Sequence, residues 1–281
     1  MSHTVDAKGR TKMSEMASPV LCSVDERGVA YVTLNRPEIH NAYDGVLIAE
    51  LLETYDVLAG QDLRAVVIAS TGRHFQAGAD IRWLDAVRRT SPQENLDTSR
   101  MTADAVQRLN LLPVPTVALV HGACFGGGTG IIAACDIVVA AHGATFSIAE
   151  VKIGVAGTII IPQLVDAIGL RQVRRYALTG ERFDAEEALR IGLVHELVAP
   201  SELEAAGERI VEYLLANGPE AIAATKMCAL RSAWSHLDAA AFDALVEAHA
   251  AKRQSAEAAE GFAAFIEKRP ASWVPMKQAK A

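Results

Sequence analysis

No Gly-Lys-Ser/Thr follows the three adjacent glycines Gly126 to Gly128, which removes a phosphate loop of that type from the readings of this glycine cluster. The four cysteines Cys22, Cys124, Cys135 and Cys228 contain no C-x-x-C pair, and no zinc ligand set is visible. They read as buried free thiols of a reducing compartment. Positive charge is not in excess: 27 Lys and Arg stand against 34 Asp and Glu, a net charge of −7, so no general basic field exists to neutralise nucleic-acid phosphates. The first eighteen residues lack an apolar run and read as a disordered extension rather than a secretion signal, with the cytoplasm as the expected location. A membrane span is absent as well, because the apolar stretch Val117 to Ala141 is interrupted by His121, Asp136 and five glycines. Neither Ser147 nor Cys124 has the surrounding pattern of a nucleophile with its base.

At 281 residues, 51% hydrophobic and 22% charged, the chain can bury a large core, either as one domain with a helical appendage or as two domains. Val29 to Leu34, Leu63 to Ala69 and Thr116 to Val120 are β-branched, apolar runs bounded by turn residues. Between them, Asp44 is placed to cap a helix with Leu47, Leu51, Tyr55 and Leu58 on one face. Alternating strands and helices predict α/β architecture with mainly parallel pairing. Residues 84 to 101 are polar and interrupted by Pro92, and predict a mobile segment beside a binding groove. After Glu150 the pattern turns helical, at 164 to 168, 170 to 178, 185 to 191, and from near Ser201, Pro219 and Leu237, with Gly180, Gly192 and Gly218 as stops.

The stretch around Gly126 to Gly128 organises the chain. Small helix formers follow it, so Gly127 and its neighbours should open a helix whose unpaired N–H groups favour negative charge. An oxyanion site, a weak dinucleotide fingerprint and a buried turn without chemistry are all compatible with the spacing.

Five segments together resemble one family: Leu34-Asn-Arg-Pro37, His40-Asn-Ala42, Phe75-Gln-Ala-Gly-Ala-Asp80-Ile81, Phe125-Gly-Gly-Gly128 and Phe146-Ser-Ile-Ala-Glu150-Val-Lys-Ile-Gly154. They look like the crotonase (enoyl-CoA hydratase/isomerase) superfamily, in family order, from about Pro19 to Trp273. The resemblance implies a crotonase (ClpP-like) spiral of β-β-α units with a C-terminal helical region. It divides the chain into residues 1–18 as the extension, 19–200 as the core with an acyl-CoA site, and 201–281 as a helical trimerisation region. It implies a homotrimer or a dimer of trimers, an acyl-CoA thioester as substrate, and no cofactor beyond the coenzyme A of that substrate. By position it assigns the oxyanion hole to the amides of Ala79 and Gly127, acid/base work to Glu150, and CoA contacts to Ile39, Ala77, Gly78, Asp80, Ile81 and Lys268, with no metal.

These residue types suit thioester chemistry. Addition at the β-carbon, or proton removal at the α- or γ-carbon, pushes electrons onto the thioester oxygen, where two N–H donors are needed. Glu150 lies in an apolar run, so desolvation should raise its pKa toward a useful range. The chain departs from two-glutamate hydratases at Gly130, where the second glutamate would stand, and at Gly157-Thr-Ile-Ile-Ile-Pro162. Gly126-Gly-Gly-Thr-Gly130, Ala134-Cys-Asp136 and Leu178-Thr-Gly-Glu-Arg-Phe183 are similar to the methylglutaconyl-CoA hydratase-like bacterial subgroup, which also lacks that glutamate. Hydration of a 2-enoyl-CoA is the expected reaction. Double-bond isomerisation with one glutamate and acyl-CoA binding without turnover are the alternatives. His40, His74 and His121 flank the motif loops and read as structural hydrogen-bonders, and Trp83 and Trp273 as core or interface.

Overall fold

The computed structural model describes residues 18–233 and 239–269, preceded by the two short pieces Thr4–Val5 and Thr11–Lys12. The strands are β1 (Thr4–Val5), β2 (Thr11–Lys12), β3 (Val20–Val24), β4 (Val29–Leu34), β5 (Ala65–Ser70), β6 (Thr116–Val120), β7 (Ala123–Phe125), β8 (Ile137–Ala141), β9 (Thr145–Ser147), β10 (Phe183–Asp184) and β11 (Glu196–Val198). The α-helices are α1 (Gly45–Ala59), α2 (Ile81–Val87), α3 (Pro92–Asn110), α4 (Gly127–Ala133), α5 (Ile161–Thr179), α6 (Ala185–Ile191), α7 (Leu203–Leu215), α8 (Pro219–Ala233), α9 (Ala239–Arg253) and α10 (Ala256–Ile266).

Two sheets form, one in the order β1-β2-β3-β4-β5-β6-β8-β11 and one in the order β10-β9-β7. Pairing from β4 to β11 is parallel, whereas β1 to β4 add an antiparallel edge. β7 and β9 are missing from the large sheet because each leaves it for the small one. The chain runs β6, β7, α4 and then β8, β9, α5. The same movement begins earlier, where β5 is followed by the bridge Gln76↔Cys124 toward the small sheet and then by α2. This repeat is the β-β-α spiral that the resemblance implies. Of the extension expected to be disordered over 1–18, most lies outside the described residues; its described pieces are β1 and β2, paired onto β3.

The central strands read as continuous apolar runs because both of their faces are covered. Side chains alternate across a strand: Val66 and Ile68 of β5 join Leu47, Leu51 and Val106 of α1 and α3, while Ala65 and Val67 join Leu203, Ala206 and Val211 of α7. α1 begins where expected, with Asp44 Oδ1 accepting from the amides of Val46 and Leu47 at 3.0 Å each, and it buries Leu47, Ile48, Leu51, Tyr55 and Leu58. Gly180 and Gly192 cap α5 and α6 in the left-handed region, and Gly169 breaks α5 into the two segments expected.

One sequence expectation is corrected. Residues 84–101 are not a loose segment, since α2 continues to Val87 and α3 starts at Pro92. Proline is compatible with that start, because the first helical turn needs no N–H from it. Ser91 and Glu94 close the turn reciprocally, Ser91 Oγ accepting from Glu94 N at 3.3 Å and Glu94 accepting from Ser91 N at 2.9 Å. The polar pattern hides a helix that buries Asn95, Ser99 and Thr102, and α9 packs along it.

α10 packs on α2 and on the 3₁₀ turn Glu150–Ile153. Gly261 permits this contact, since a Cβ there would stand 2.0 Å from the Ile153 carbonyl oxygen. α10 therefore covers the turn that carries Glu150. Residues 234–238 and 270–281, with Trp273, lie outside the described residues.

Candidate active site

Two loops place main-chain amides at one cavity. The Tyr43 amide donates to Gly78 O at 2.9 Å and the Asp80 amide donates to Tyr43 O at 2.8 Å, so Tyr43 grips both neighbours of Ala79. The Ala79 amide between them has no partner among the described residues. Gly78 makes the turn possible with φ 91°, a conformation that costs a side-chain-bearing residue. In the second loop Gly126 takes φ 52° and caps α4, and Gly127 opens that helix, where an amide has no intrahelical acceptor. A Cβ on Gly127 would come within 2.5 Å of Tyr43 Cε1. Tyr43 thus organises both loops, with its backbone at Ala79 and its ring against Gly127. Trp83 supports that ring edge-on at 5.9 Å. Tyr43 was not singled out from the sequence, although its place directly after His40-Asn-Ala42 could have marked it.

Glu150 opens the 3₁₀ turn after β9, and its Oε2 is buried without a hydrogen-bond partner among the described residues. Burial pushes its pKa up to about 7, partly offset by a hydrogen bond from its own amide. Space is kept free beside it: a Cβ at Gly126 would approach Oε1 to 3.1 Å, and one at Gly157 would approach Cδ to 3.1 Å. A carboxylic acid that titrates near neutrality can both take and return a proton. The place of a second glutamate is physically filled, since a Cβ on Gly130 would lie 2.2 Å from Ile160 Cγ2. Gly130 and the altered 157–162 segment are therefore one change seen from two sides.

The cavity at these groups has a volume of about 410 Å³. Its walls include Ala77, Gly78, Ala79 and Ile81 from the first loop, Gly126 and Gly127 from the second, and Glu150. Three expected CoA residues, Ile39, Asp80 and Lys268, are not among its lining residues. Asp80 instead caps α2, its Oδ1 accepting from Arg82 N at 2.8 Å and Trp83 N at 3.2 Å. Arg269, next to Lys268, does line the cavity. His74 Nδ1 accepts from the Ala123 amide at 3.0 Å and His121 Nε2 lies 3.0 Å from Gly72 O, structural roles consistent with the sequence reading. Gln76 was missed: it lines the cavity, is fully buried, and neither its amide nitrogen nor its oxygen has a partner among the described residues. Two residues of α9, His249 and Arg253, also reach the wall. No group of three or more metal-ligating side chains occurs among the described residues, and no helix among them is long and apolar enough to cross a membrane.

Comparison with known proteins finds similarity along most of the chain. A mevalonyl-coenzyme A hydratase of Aspergillus fumigatus is 34% identical over 276 residues, covering 94% of this chain and 100% of that protein. A short-chain-enoyl-CoA hydratase of Clostridium acetobutylicum is 32% identical over 255 residues, 87% of this chain and 93% of the relative. The crystal structure of an enoyl-CoA hydratase from Mycobacterium avium superposes with a TM-score of 0.80 at 32% identity, covering 92% of this chain and 99% of that one. The enoyl-CoA hydratase/isomerase family model matches residues 25–275, and the chain belongs to that family.

Proposed function

We propose that the protein is an enoyl-CoA hydratase that adds water across the double bond of a 2-enoyl-CoA. The observation that carries this reading is the convergence of two unpartnered amides, Ala79 and Gly127, and the buried carboxyl of Glu150 on one cavity. The thioester oxygen accepts from both amides, and the charge that develops as water attacks the β-carbon is held there as an enolate; one such donor is worth about 3–4 kcal/mol in a well-studied hydrolase. Ionised Glu150 takes a proton from the water as its oxygen bonds to the β-carbon. Protonated Glu150 then returns a proton to the α-carbon on the same face, which gives syn addition and restores the carboxylate. Gln76, buried with both amide atoms unpartnered, is the polar group available to share the water. All steps use the chain's own amides and carboxyl, and coenzyme A enters as part of the substrate. With this reading go cytoplasmic location and assembly as a trimer or a dimer of trimers, the former supported by the free, buried thiols of Cys124 and Cys135.

A second reading, double-bond isomerisation, is favoured by one observation: Ile160 fills the space beside Gly130, leaving Glu150 to shuttle a proton between carbons. Product analysis in heavy-oxygen water separates the two. Incorporation of label into a 3-hydroxyacyl-CoA made from a 2-enoyl-CoA is the expected result. Unlabelled 2-enoyl-CoA formed from a 3-enoyl-CoA, without hydration, would transfer the assignment to the isomerase. Saturable binding of both substrates with no product would leave only an acyl-CoA-binding protein.

A further inference from the structure

Tyr43 carries an atom that its packing does not use. In the parallel bridge to Ala79 its amide and carbonyl hold the two neighbours of that residue. Its ring lies at Gly127, with Cε1 2.5 Å and Cζ 3.3 Å from the place of a Cβ there. One residue therefore spans from the first oxyanion amide to the second. Phenylalanine would make the same contacts, including the edge-on packing against Trp83 at 5.9 Å. What phenylalanine lacks is the hydroxyl on Cζ, and in Tyr43, which lines the cavity, that hydroxyl has no hydrogen-bond partner among the described residues. A phenol held away from bulk water usually finds a partner, because an unpaired hydroxyl there costs stability.

The ring stands on the amide side of the cavity. Glu150 meets the second loop one residue earlier, its Oε1 3.1 Å from the place of a Cβ on Gly126, whereas Tyr43 meets Gly127 itself. The carboxyl and the phenol thus flank one peptide unit without duplicating each other. Desolvation and the nearby Glu150 carboxylate, partly offset by Arg253, hold the phenol pKa well above its usual range, so near neutrality the group is a donor and not a base. An enolate oxygen that accepts from two amides still has a lone pair for a third donor, and a tyrosine hydroxyl is a side chain suited to that place.

We infer that Tyr43 is a further catalytic residue, whose hydroxyl donates to the thioester oxygen as a third member of the oxyanion hole beside the amides of Ala79 and Gly127. This rests on the acyl-CoA reading of the same site. No proton is transferred in that contact: the phenol keeps its proton while charge on the oxygen grows and declines, and Glu150 alone exchanges protons with water and the α-carbon. A donor of this kind is strongest when the oxygen carries its full charge, so it favours the enolate over the bound thioester.

The test is Tyr43→Phe, which removes one oxygen and keeps the ring. Two ligands are titrated into it and into the intact protein: acetoacetyl-CoA, whose enolate absorbs in the near ultraviolet, and butyryl-CoA, which forms no enolate of comparable stability. The expected result is a loss of about 10- to 10²-fold in acetoacetyl-CoA affinity, with its enolate absorbance, while butyryl-CoA affinity stays within about threefold of the parent's. On crotonyl-CoA, kcat should fall by about the same factor with KM little changed. Enolate binding and kcat both within about twofold of the parent would overturn the inference. A fall in kcat with enolate binding unchanged would also overturn it, and would place the hydroxyl at Glu150 or at the water. Should Tyr43→Phe not fold, Tyr43→Met is read against the same two ligands. If the intact protein binds neither ligand, the acyl-CoA reading falls and this inference with it. Because neither ligand is hydrated, a failure of the hydratase reading alone appears separately, as absence of 3-hydroxyacyl product from crotonyl-CoA in a protein that still prefers the enolate.

Discussion

The groups that the proposed mechanism uses are two main-chain amides and one carboxyl, each carried on a short motif, with Tyr43 reaching across from α1's start to both amide loops. On the α9 wall of the cavity the polar groups are the side chains of His249 and Arg253, held by Asn95 and Ser99 of α3 across about 150 residues of sequence. Backbone donors need glycine and a tight turn, which confine them to short motifs. Side-chain networks need only that two helices lie against each other, a condition that many sequences meet. The main-chain groups are therefore tied to local sequence, whereas the side-chain network depends on how two distant helices meet.

The comparison is broken most directly at Glu150. Glu150→Gln retains size and removes the proton carrier, and a loss of about 10²–10⁴ in kcat is expected with KM little changed. Steady-state rates on crotonyl-CoA give the answer; full activity would remove Glu150 from the mechanism. Gly127 comes next. Gly127→Ala puts a Cβ 2.5 Å from Tyr43 Cε1, so the ring or the loop must shift. A fall of about 10² in kcat is expected from displacing one oxyanion donor. Combining it with Tyr43→Ala, which clears the clash but also removes support from the Ala79 loop, should not restore wild-type rate. Full restoration would mean that Tyr43 acts on Gly127 alone.

Legibility in the sequence divides along the same line. Asp44, the α1 face, the strand runs and the Gly127 helix start were readable because each depends on neighbours within a few residues. Gly126, Gly127 and Glu150 were readable as motif positions, and the apolar run correctly pointed to a raised Glu150 pKa. The polar pattern of 84–101 with Pro92 inside it predicts a mobile segment, whereas with Ser91 before it and Glu94 after it Pro92 is a helix start. That signal was present. The roles of Tyr43, Ile160, Gly261 and Arg253 were not readable, because each is defined by a contact far along the chain: Tyr43 with Gly127, Ile160 with Gly130, Gly261 with Ile153, Arg253 with Asn95. Likewise the family position points to Lys268, whereas in the turn that follows α10 it is the next residue, Arg269, that lines the cavity.

The reacting end should also carry a measurable stability cost. The Glu150 carboxyl titrates near 7 in the folded protein against 4.5 for the free group. Below pH 4.5 it is neutral in both states and costs nothing. Between 4.5 and 7 the unfolded chain loses its proton first, so stability falls as pH rises, by about 3 kcal/mol in all above pH 7. Glu150→Gln should therefore be more stable than the parent at pH 8 and equal to it near pH 4, as read from denaturant midpoints at the two pH values. A pH-independent difference would mean that burial does not govern this carboxyl. In the parent, kcat should drop tenfold per pH unit below about 7, following a single ionisation, because no second carboxylate couples to it.

The smallest expected effect sharpens the question of the absent second glutamate. If the space beside Gly130 were merely vacant, Gly130→Glu would be tolerated and would add a second acid to the site. Ile160 occupies that space, with Cγ2 2.2 Å and Cβ 2.8 Å from the Cβ that any substitution introduces. Gly130→Glu alone should then cost about 1–3 kcal/mol through overpacking, with no gain in hydration. Ile160→Ala alone should also destabilise, by leaving a gap in the core cluster that contains Ile131, Ile132 and Leu164. Because each change relieves the defect left by the other, the double variant should be more stable than the sum of the two losses allows, with a coupling of about 0.5–3 kcal/mol. Thermal unfolding of the four proteins in the cycle measures it. Additive losses would show that Ile160 does not stand in the place of the glutamate, and the single-carboxylate character of this site would then need another cause.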